Sequence, residues 1–504
     1  ITGKSISNID GVIRANGTAN LFLINPNGIV FGENAALNIG GSFFATTASS
    51  INFADGTIFS AIQPEAAPLL TINVPVGLQF GSTAAPIRNK SQTSPDGSTT
   101  SFPKSVGLQV PTGKTLALIG GDVILEGGNL TTDSGRIEIG SVAANSNVSL
   151  NLVDKSWFLG YEGATNFQNI KIIRRNIDDF FIASRVDASG KDGGGSIQLQ
   201  GNSVELIGEF VMLNTSTEGV TDAGDVTINA RKLIVRDGAQ VVAFTSGQGA
   251  AGNLIVNASD SVEIIGGNLI PASLSSSTFG DGNGGKITIN TNRLLVLDGA
   301  VVSVETAGIA ENSQFFPATG EGGNLTINAS ESVEIAGTSE FDTKSSLVSN
   351  TLNSADAGEL TISTKQLIVR DGAQISVSSQ SPELPLTFTV VGSPSNLGNA
   401  GELKITADSI LLDKQGKLVS ETESANGGNI TLQLQDLLLL RRNSQISTNA
   451  GKSQLDGDGG NININIPNGF IVAVPEENSD ITANAFTGTG GRVDISANGL
   501  FGIQ

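Results

Sequence analysis

The sequence predicts an all-β chain that folds as a right-handed parallel β-helix, a solenoid with three short strands in each coil and loops that leave the coils. Three observations lead to this prediction. A phrase made of Gly and a short strand recurs about every thirty residues, the strands alternate apolar with polar residues, and Asn, Thr, Ser, Ile, Val and Gly are abundant. Such a composition favours strands joined by turns, and such a period indicates a solenoid.

The repeated phrase runs through the second half of the chain. It reads GSIQLQG at 195, GDVTINA at 224, GNLIVNA at 252, GKITINT at 285, GNLTINA at 323, GELTIST at 358, GELKITA at 401, GNITLQL at 428, GNININI at 460 and GRVDISA at 491. Successive starts lie 27 to 43 residues apart, so we expect the extra length in loops at one corner. Stacking then supplies a core and hydrogen bonds that one coil lacks, because neighbouring coils lie about 4.8 Å apart.

Each strand of the repeat has two different faces. Val226, Ile228 and Ala230 alternate with Thr227 and Asn229, which predicts that the first set points inward and the second set points to solvent.

The sequence Asp-Gly-Ala recurs at 237–239, 298–300 and 371–373. Gly accepts a positive φ and Asp can bond the backbone of a turn. We therefore expect an equivalent corner of the coil at all three places.

Composition and charge exclude several functions. The chain has no His and no Cys, so it lacks the commonest zinc ligands, thiolate sites and the usual near-neutral general base. Its 28 basic residues against 48 acidic ones give a net charge of −20, which repels nucleic acid. No stretch approaches the roughly 18 consecutive apolar residues of a membrane span. We expect no cofactor, no nucleic-acid partner and no membrane span.

The first 53 residues contain three motifs of a known family. They are SNIDG at 7–11, NLFLINPNGIVFG at 20–32 and GGSFFATTAS at 40–49. Together they resemble the N-terminal secretion domain of filamentous-haemagglutinin-like exoproteins of two-partner secretion systems. The residues that match the family signature are Asn25, Pro26, Asn27, Gly28 and Ile29. Taken alone, this stretch is better explained as a tight turn, since Pro followed by Asn-Gly favours one, and the surrounding family match turns the interpretation to a secretion motif that is built on that turn.

The resemblance implies an export route. It implies a β-helical protein of a diderm bacterium that crosses the periplasm unfolded and leaves through a dedicated outer-membrane β-barrel transporter, to fold at the cell surface. In this family an earlier stretch with a related Asn-Pro-Asn motif normally precedes the one found here, and this chain starts after it. The five signature residues would form the secretion motif.

Three segments follow from these patterns. Residues 1–120 are predicted to be a partial β-helical secretion (haemagglutinin activity) domain, and residues 121–195 to be irregular coils with an excursion outside the helix. Residues 196–504 are predicted to be the regular repeats of about thirty residues.

One charged segment imitates a catalytic site. RRNIDD sets Arg174 and Arg175 beside Asp178 and Asp179, and paired carboxylates with a cation can cleave polysaccharide. All four lie within six residues, whereas a site on a parallel β-helix draws residues from successive coils. We therefore favour a solvated, partly self-paired loop without catalysis.

Two further patterns have structural explanations. Asp281, Asp456 and Asp458 lie in DGNGG and DGDGG, which resemble calcium-binding nonapeptides, but the nonapeptide does not repeat and a site needs about six oxygen ligands. We favour flexible corners without metal. The alternating residues Asn461, Asn463 and Asn465 form either an interior or an exterior row of stacked amides.

The sequence thus predicts an exported cell-surface or extracellular protein whose role is adhesin-like binding rather than catalysis. Its expected partners are the outer-membrane transporter and glycans or proteins of a host or neighbouring cell. A secreted β-helix polysaccharide lyase or hydrolase and a structural surface-layer component remain alternatives.

Overall fold

The structure is a computed structural model. It describes residues 4–63, 74–97, 106–153, 156–178, 180–311, 314–381, 389–390, 397–451 and 456–502. The chain forms two compact units, of which unit 1 comprises Ile1–Thr215 with Val226–Ile234 and unit 2 comprises Ser216–Asp225 with Val235–Gln504. Apart from one 3-10 turn at Pro475–Glu477, the regular structure of the described residues consists of strands. None of their helical segments has the length and apolarity that crossing a membrane requires.

Unit 1 is built from short strands. They are β1 (Ser7–Ile9), β2 (Val12–Arg14), β3 (Leu21–Ile24), β4 (Ile29–Phe31), β5 (Ala36–Asn38), β6 (Phe43–Thr46), β7 (Ser50–Phe53), β8 (Ile58–Ser60), β9 (Pro75–Gln79), β10 (Ile87–Asn89), β11 (Leu108–Val110), β12 (Thr115–Gly120), β13 (Val123–Glu126), β14 (Leu130–Thr132), β15 (Arg136–Ser141), β16 (Asn147–Val153), β17 (Ser156–Gly163), β18 (Ile170–Ile173), β19 (Arg175–Ile177), β20 (Phe180–Ile182), β21 (Arg185–Asp187), β22 (Ser196–Gln200), β23 (Ser203–Ile207), β24 (Met212–Asn214) and β25 (Val226–Arg236, of which 226–234 belong to this unit).

Parallel pairing makes unit 1 a β-helix with three faces. One ladder runs β1, β4, β10, β13, β18, β23, and a second runs β3, β6, β12, β15, β22, β25. The third runs β11, β14, β21, β24. Fully buried side chains such as Phe31, Phe43 and Leu116 fill the interior. The predicted fold class is confirmed.

An antiparallel sheet lies outside the coils of unit 1. Its strand order is β17, β16, β9, β7, β8. Phe44 of β6 and Ile119 of β12 join Trp157 and Tyr161 of β17 in one buried apolar cluster. β6 and β12 are consequently buried on both faces, which explains their uninterrupted apolar sequences.

Unit 2 alternates long and short strands. They are β26 (Gln240–Val242), β27 (Leu254–Ile265), β28 (Ser273–Ser275), β29 (Ile287–Leu297), β30 (Val301–Ser303), β31 (Gly308–Glu311), β32 (Gln314–Pro317), β33 (Leu325–Ala336), β34 (Ser346–Val348), β35 (Leu360–Ser363), β36 (Gln366–Arg370), β37 (Gln374–Ser376), β38 (Thr389–Val390), β39 (Leu403–Asp413), β40 (Lys417–Val419), β41 (Ile430–Leu440), β42 (Gln445–Ser447), β43 (Ile462–Ala473), β44 (Asp480–Thr482) and β45 (Val493–Phe501).

The first two predicted strands of a coil run together in unit 2. The long strands, of 9 to 12 residues, are β27, β29, β33, β39, β41, β43 and β45, and those that are direct neighbours pair in parallel through a register shift near their middle. In the coil between β33 and β39 the two strands β35 and β36 stay separate, and each pairs in parallel with β33 and with β39. The short strands β26, β28, β30, β34, β37, β40, β42 and β44 pair in parallel as a separate ladder. The chain bends at the shift, so one strand serves two faces of the coil.

Buried Thr side chains mark the same position in successive coils of unit 2. Parallel bridges link Thr217 to Thr245, Thr245 to Thr278, Thr278 to Thr306 and Thr306 to Thr351. The Oγ1 atoms of Thr306 and Thr351 lie 2.6 Å apart and form a hydrogen bond. This threonine ladder keeps the coils in register beside the loops of variable length.

The Asp-Gly-Ala corners are equivalent, as predicted. Asp237, Asp298 and Asp371 have φ between 55° and 57°, and the glycines that follow have φ between 81° and 86°. The Ala N–H of each triplet donates to the carbonyl of the residue before the Asp at 3.1 to 3.2 Å. Two successive positive φ values define a type I′ turn, for which Asp-Gly is a favoured sequence.

Candidate functional site

The Asn-Pro-Asn-Gly sequence forms a corner of a coil in unit 1. It links β3 to β4, which belong to different ladders, so the chain changes face here and does not fold back as a hairpin. The Gly28 N–H donates to the Asn25 carbonyl at 3.1 Å, which closes a four-residue turn. Gly28 has a φ of +118°, which residues with a side chain rarely adopt.

Asn25 holds this turn in place. Its side chain is fully buried, and its Oδ1 accepts hydrogen bonds from the N–H and the Nδ2 of Asn27 at 3.0 and 3.1 Å. Its Nδ2 donates to Ser7 Oγ at 2.7 Å and to the Ser5 carbonyl at 3.0 Å. One amide therefore shapes the turn and ties it to the preceding coil.

The five signature residues differ in exposure. Asn25, Gly28 and Ile29 are buried, whereas Pro26 and Asn27 are partly exposed. Among the signature residues, only the side chains of Pro26 and Asn27 are open to a partner that contacts the folded turn.

The three sequence motifs meet on neighbouring strands. SNIDG supplies β1, which pairs with β4 after the turn, and GGSFFATTAS supplies β6, which pairs with β3 before it. Asp10 of the first motif accepts hydrogen bonds from the N–H and Nδ2 of Asn34 at 2.8 and 3.0 Å, and these bonds lower the pKa of its carboxyl. The motifs therefore build one local structure around the turn.

The described charged residues of RRNIDD, namely Arg174, Arg175 and Asp178, do not form a shared cluster. Arg174 and Arg175 each pair with a glutamate from outside the segment, at 3.6 Å for Arg174. Asp178 lies at the tip of the β19–β20 hairpin with a φ of +50°, and Asp179 lies outside the described residues. The arrangement is that of an ion-paired hairpin.

The aspartates of the Gly-rich loops bond to the next coil. Asp281 accepts a hydrogen bond from the Thr319 hydroxyl at 2.7 Å, and Asp458 accepts one from the Thr489 N–H at 2.7 Å. Asp456 accepts one from its neighbour Gly457 at 3.0 Å. Within the described part of the chain, no group of three or more Asp or Glu side chains is placed to hold a metal ion.

The Asn row points outward. Asn461 and Asn463 are exposed and Asn465 is partly exposed, while the intervening Ile462 and Ile464 are fully buried. The outer amides stack between coils, as in the bond from Asn465 Nδ2 to the Gln433 side chain at 2.7 Å. The row is thus an exterior ladder.

Charged residues of neighbouring coils in unit 2 neutralise one another. The pairs are Arg370 with Glu334 at 2.7 Å and with Asp371, Lys414 with Asp371 at 3.0 Å, Arg442 with Asp413, and Arg441 with Glu477 at 2.6 Å. A hydrogen bond from Arg442 lowers the pKa of Asp413, and one from Arg441 lowers the pKa of Glu477 to about 2. The ion pairs keep these carboxylates ionised. An ionised carboxylate suits a structural ion pair, whereas a general acid must be protonated.

A buried carboxyl in unit 1 was missed by the sequence reasoning. Glu138 of β15 is fully buried, and burial raises its pKa to about 7 although Arg136 Nε lies 2.6 Å from its Oε1. Tyr161 of β17 lies over the same strand, and burial also raises the pKa of its hydroxyl. The only sequence signal is a Glu between two apolar residues in RIEIG.

Comparison with known proteins identifies the first part of the chain. Residues 1–199 match the family of the TPS secretion domain, and this range contains the turn and its two companion motifs. The chain carries a two-partner secretion domain. Such a domain implies a secreted exoprotein of a Gram-negative bacterium whose partner is an outer-membrane transporter.

One solved structure that the chain is similar to is the HMW1 secretion domain from Haemophilus influenzae. The identity is 16%, the similarity covers 82% of this chain and 80% of that one, and the TM-score is 0.41. No curated protein matches the chain significantly.

Proposed function

We propose that this two-partner-secreted exoprotein acts at the cell surface or outside the cell as an adhesin-like protein that binds glycans or proteins and performs no catalysis. The two-partner secretion domain at residues 1–199 carries the proposal. The cross-coil ion pairs of unit 2 support it further, because they leave those carboxylates committed to structure.

The proposal is tested by adherence of purified full-length protein to bacterial and epithelial cells, with turnover of polysaccharides measured in parallel. Saturable binding without turnover is the expected result. Release of reducing ends or unsaturated products from a polysaccharide would favour the alternative of a lyase or hydrolase. Absence of binding to any cell, together with ordered arrays of the protein on the producing cell, would favour a surface-layer component.

The signature residues Asn25, Pro26, Asn27, Gly28 and Ile29 serve, in this proposal, as the secretion motif. In this proposal the corner forms before the rest of the chain is exported, the buried members shape it, and Pro26 and Asn27 offer their side chains to the transporter. These two roles, shaping the corner and contacting the transporter, are inferred from the exposure of each residue and from the four hydrogen bonds of the Asn25 amide.

Secretion of two Asn variants separates the two roles. Asn27→Ala is expected to fold normally and to lower secretion, because the Asn27 N–H still bonds to Asn25 while the exposed amide is gone. Asn25→Ala is expected to cost about 2 to 4 kcal/mol of folding free energy, because it removes the four hydrogen bonds of a fully buried amide, one of them to the buried Ser7. The measurement is the fraction of protein in the medium when the chain is expressed with its transporter.

The matched control is Asn38→Ala, the same substitution at an exposed residue of β5 in the same domain. It should leave secretion unchanged. Equal secretion of the wild type and Asn27→Ala would contradict recognition through the exposed amide.

A further inference from the structure

Unit 2 contains a groove of about 440 Å³ that runs across four successive coils. We call it the polar groove. Its lining comes from the segments DAGD at 222–225, AAGN at 250–253, NGGK at 283–286 and GGN at 322–324. Gly and Ala residues form the floor, and it is flanked by the polar residues Asp222, Asp225, Asn253, Asn283, Lys286 and Asn324. Four coils at about 4.8 Å spacing span roughly 14 Å.

Stacking of the coils keeps the floor open. A Cβ on Gly285 would lie 2.3 Å from the Gly252 carbonyl oxygen, and a Cβ on Gly323 would lie 2.0 Å from the Gly285 carbonyl oxygen. Since the backbones approach this closely, side chains cannot fill the floor without separating the coils. The groove is therefore part of the fold itself.

Hydrogen bonds between coils fix the polar walls. Asp225 Oδ1 accepts from the N–H and the Nδ2 of Asn253, both at 2.9 Å. The Oδ1 atoms of Asn283 and Asn324 accept the N–H groups of Glu321 and Glu359 at 3.0 and 2.9 Å. The Nδ2 groups of Asn283 and Asn324 have no hydrogen-bond partner among the described residues, so two oriented donors are left for a ligand.

The groups in the groove select a class of ligand. Asp222 and Asp225 add carboxylate acceptors and the exposed Lys286 adds an ammonium donor, so the lining carries a net charge of −1 and repels polyanions. The lining offers no large apolar side chain, which a peptide ligand would need as an anchor. Hydroxyl groups, which both donate and accept, match this mixture of amides and carboxylates.

We propose that the polar groove binds a neutral linear oligosaccharide, with successive sugar rings lying over successive coils. The inference rests on the adhesin-like function proposed above and names the ligand class and the place where it binds. Because the groove is shallow and polar, each ring contributes little, and repeated display of the sugar on a cell strengthens the attachment.

The test uses the purified full-length chain and three neutral tetrasaccharides, namely cellotetraose, maltotetraose and chitotetraose, with tetragalacturonate as the anionic comparison. Binding is measured by saturation-transfer NMR and calorimetry. The groove variant combines Asn283→Asp and Asn324→Asp, which keeps each Oδ acceptor and replaces each amide donor by a carboxylate oxygen. The matched control combines Asn426→Asp and Asn429→Asp, two residues that make the same bonds to the next coil outside the groove.

At least one neutral tetrasaccharide is expected to bind with a millimolar Kd, and tetragalacturonate is not. The groove variant should bind at least tenfold more weakly, since each lost hydrogen bond weakens binding several-fold. The control variant should bind like the wild type. Thermal unfolding followed by circular dichroism checks that both variants are folded.

Two results would contradict sugar binding in the polar groove. One is failure of all three neutral sugars to bind the wild type, and the other is equal sugar binding by the wild type and the groove variant. Cell adherence of the same proteins distinguishes this failure from failure of the proposed function. If the groove variant binds sugar as the wild type does and both proteins adhere equally to cells, sugar binding in the groove is contradicted and the adhesin-like role stands. Loss of sugar binding in the groove variant supports the groove even where no cell is bound.

Discussion

Raising the pH should loosen the antiparallel sheet that covers the coils of unit 1, and Glu138 should be the group responsible. Its carboxyl lies buried under β17, where burial raises its pKa from 4.5 to about 7. Because this pKa is higher in the folded than in the unfolded state, the protonated carboxyl favours the fold. This stabilisation is complete below the unfolded pKa and is lost as the pH rises through about 7. Glu138→Gln removes the titration.

The size of the effect follows from the shift. A difference of about 2.5 pKa units at 1.36 kcal/mol per unit amounts to about 3 kcal/mol. Most of this lies between pH 5 and pH 8, where we expect the free energy of unfolding to fall by about 2 to 3 kcal/mol through this group. The neighbouring Arg136 reduces the shift and does not abolish it.

The fluorescence of Trp157 serves as the signal for this measurement. Trp157 is the only Trp of the chain, lies buried on β17, and packs edge-on against Phe44 with ring centroids 5.7 Å apart. Its fluorescence during urea unfolding at pH 5 and pH 8 reports on the packing of β17 against the coils. The free energy of unfolding of the wild type should fall by about 2 to 3 kcal/mol more than that of Glu138→Gln over this range.

Glu126→Gln is the matched control, because Glu126 also lies in a strand of unit 1 but is partly exposed beside Lys90 at 3.2 Å. It should keep the pH dependence of the wild type. The reasoning is refuted if Glu138→Gln keeps that dependence too.

Three further predictions concern unit 2. Gly372→Ala should cost about 1 kcal/mol in urea unfolding, because φ is +81° while the nearest atom leaves room for a Cβ, and Gly372→Asn should cost less; equal costs would contradict the backbone explanation. Thr306→Val should cost about 1 kcal/mol by removing a buried hydrogen bond to Thr351, and an unchanged melting temperature would argue against it. Unfolding of the wild type should become easier as the pH falls through the lowered pKa of Asp413, and Arg442→Gln should weaken this acid sensitivity. Acid titrations in which the two proteins lose stability to the same extent would contradict this expectation.

The local rules of the coil were predictable from the sequence, because they repeat. Asp-Gly-Ala marked the corners, and the alternation placed Val226 and Ile228 in the core, although Ala230 is partly exposed at the end of its run. The union of two predicted strands into one was not predictable, since the polar residues at the bend are compatible with either a turn or a bulge.

The long-range pairings outside the coils left no local signal. β7 pairs with β9 and β9 pairs with β16, so residues near 50, 78 and 148 meet although no repeat connects them. The burial of Glu138 depends on that sheet and was hidden for the same reason. The polar groove was also not predicted, because the repeated Gly at 224, 252, 285 and 323 shows that these segments are aligned in successive coils but not that they line a groove.

The threonine ladder has an evolutionary consequence. Its members stay aligned although they are separated by 28, 33, 28 and 45 residues along the chain. Lengthening a loop costs little because closure entropy grows only slowly with length. The loops can therefore change in sequence, or a whole coil can be duplicated, while the threonines keep the coils aligned. Variation can then accumulate in the surface loops without a change in the stacked coils.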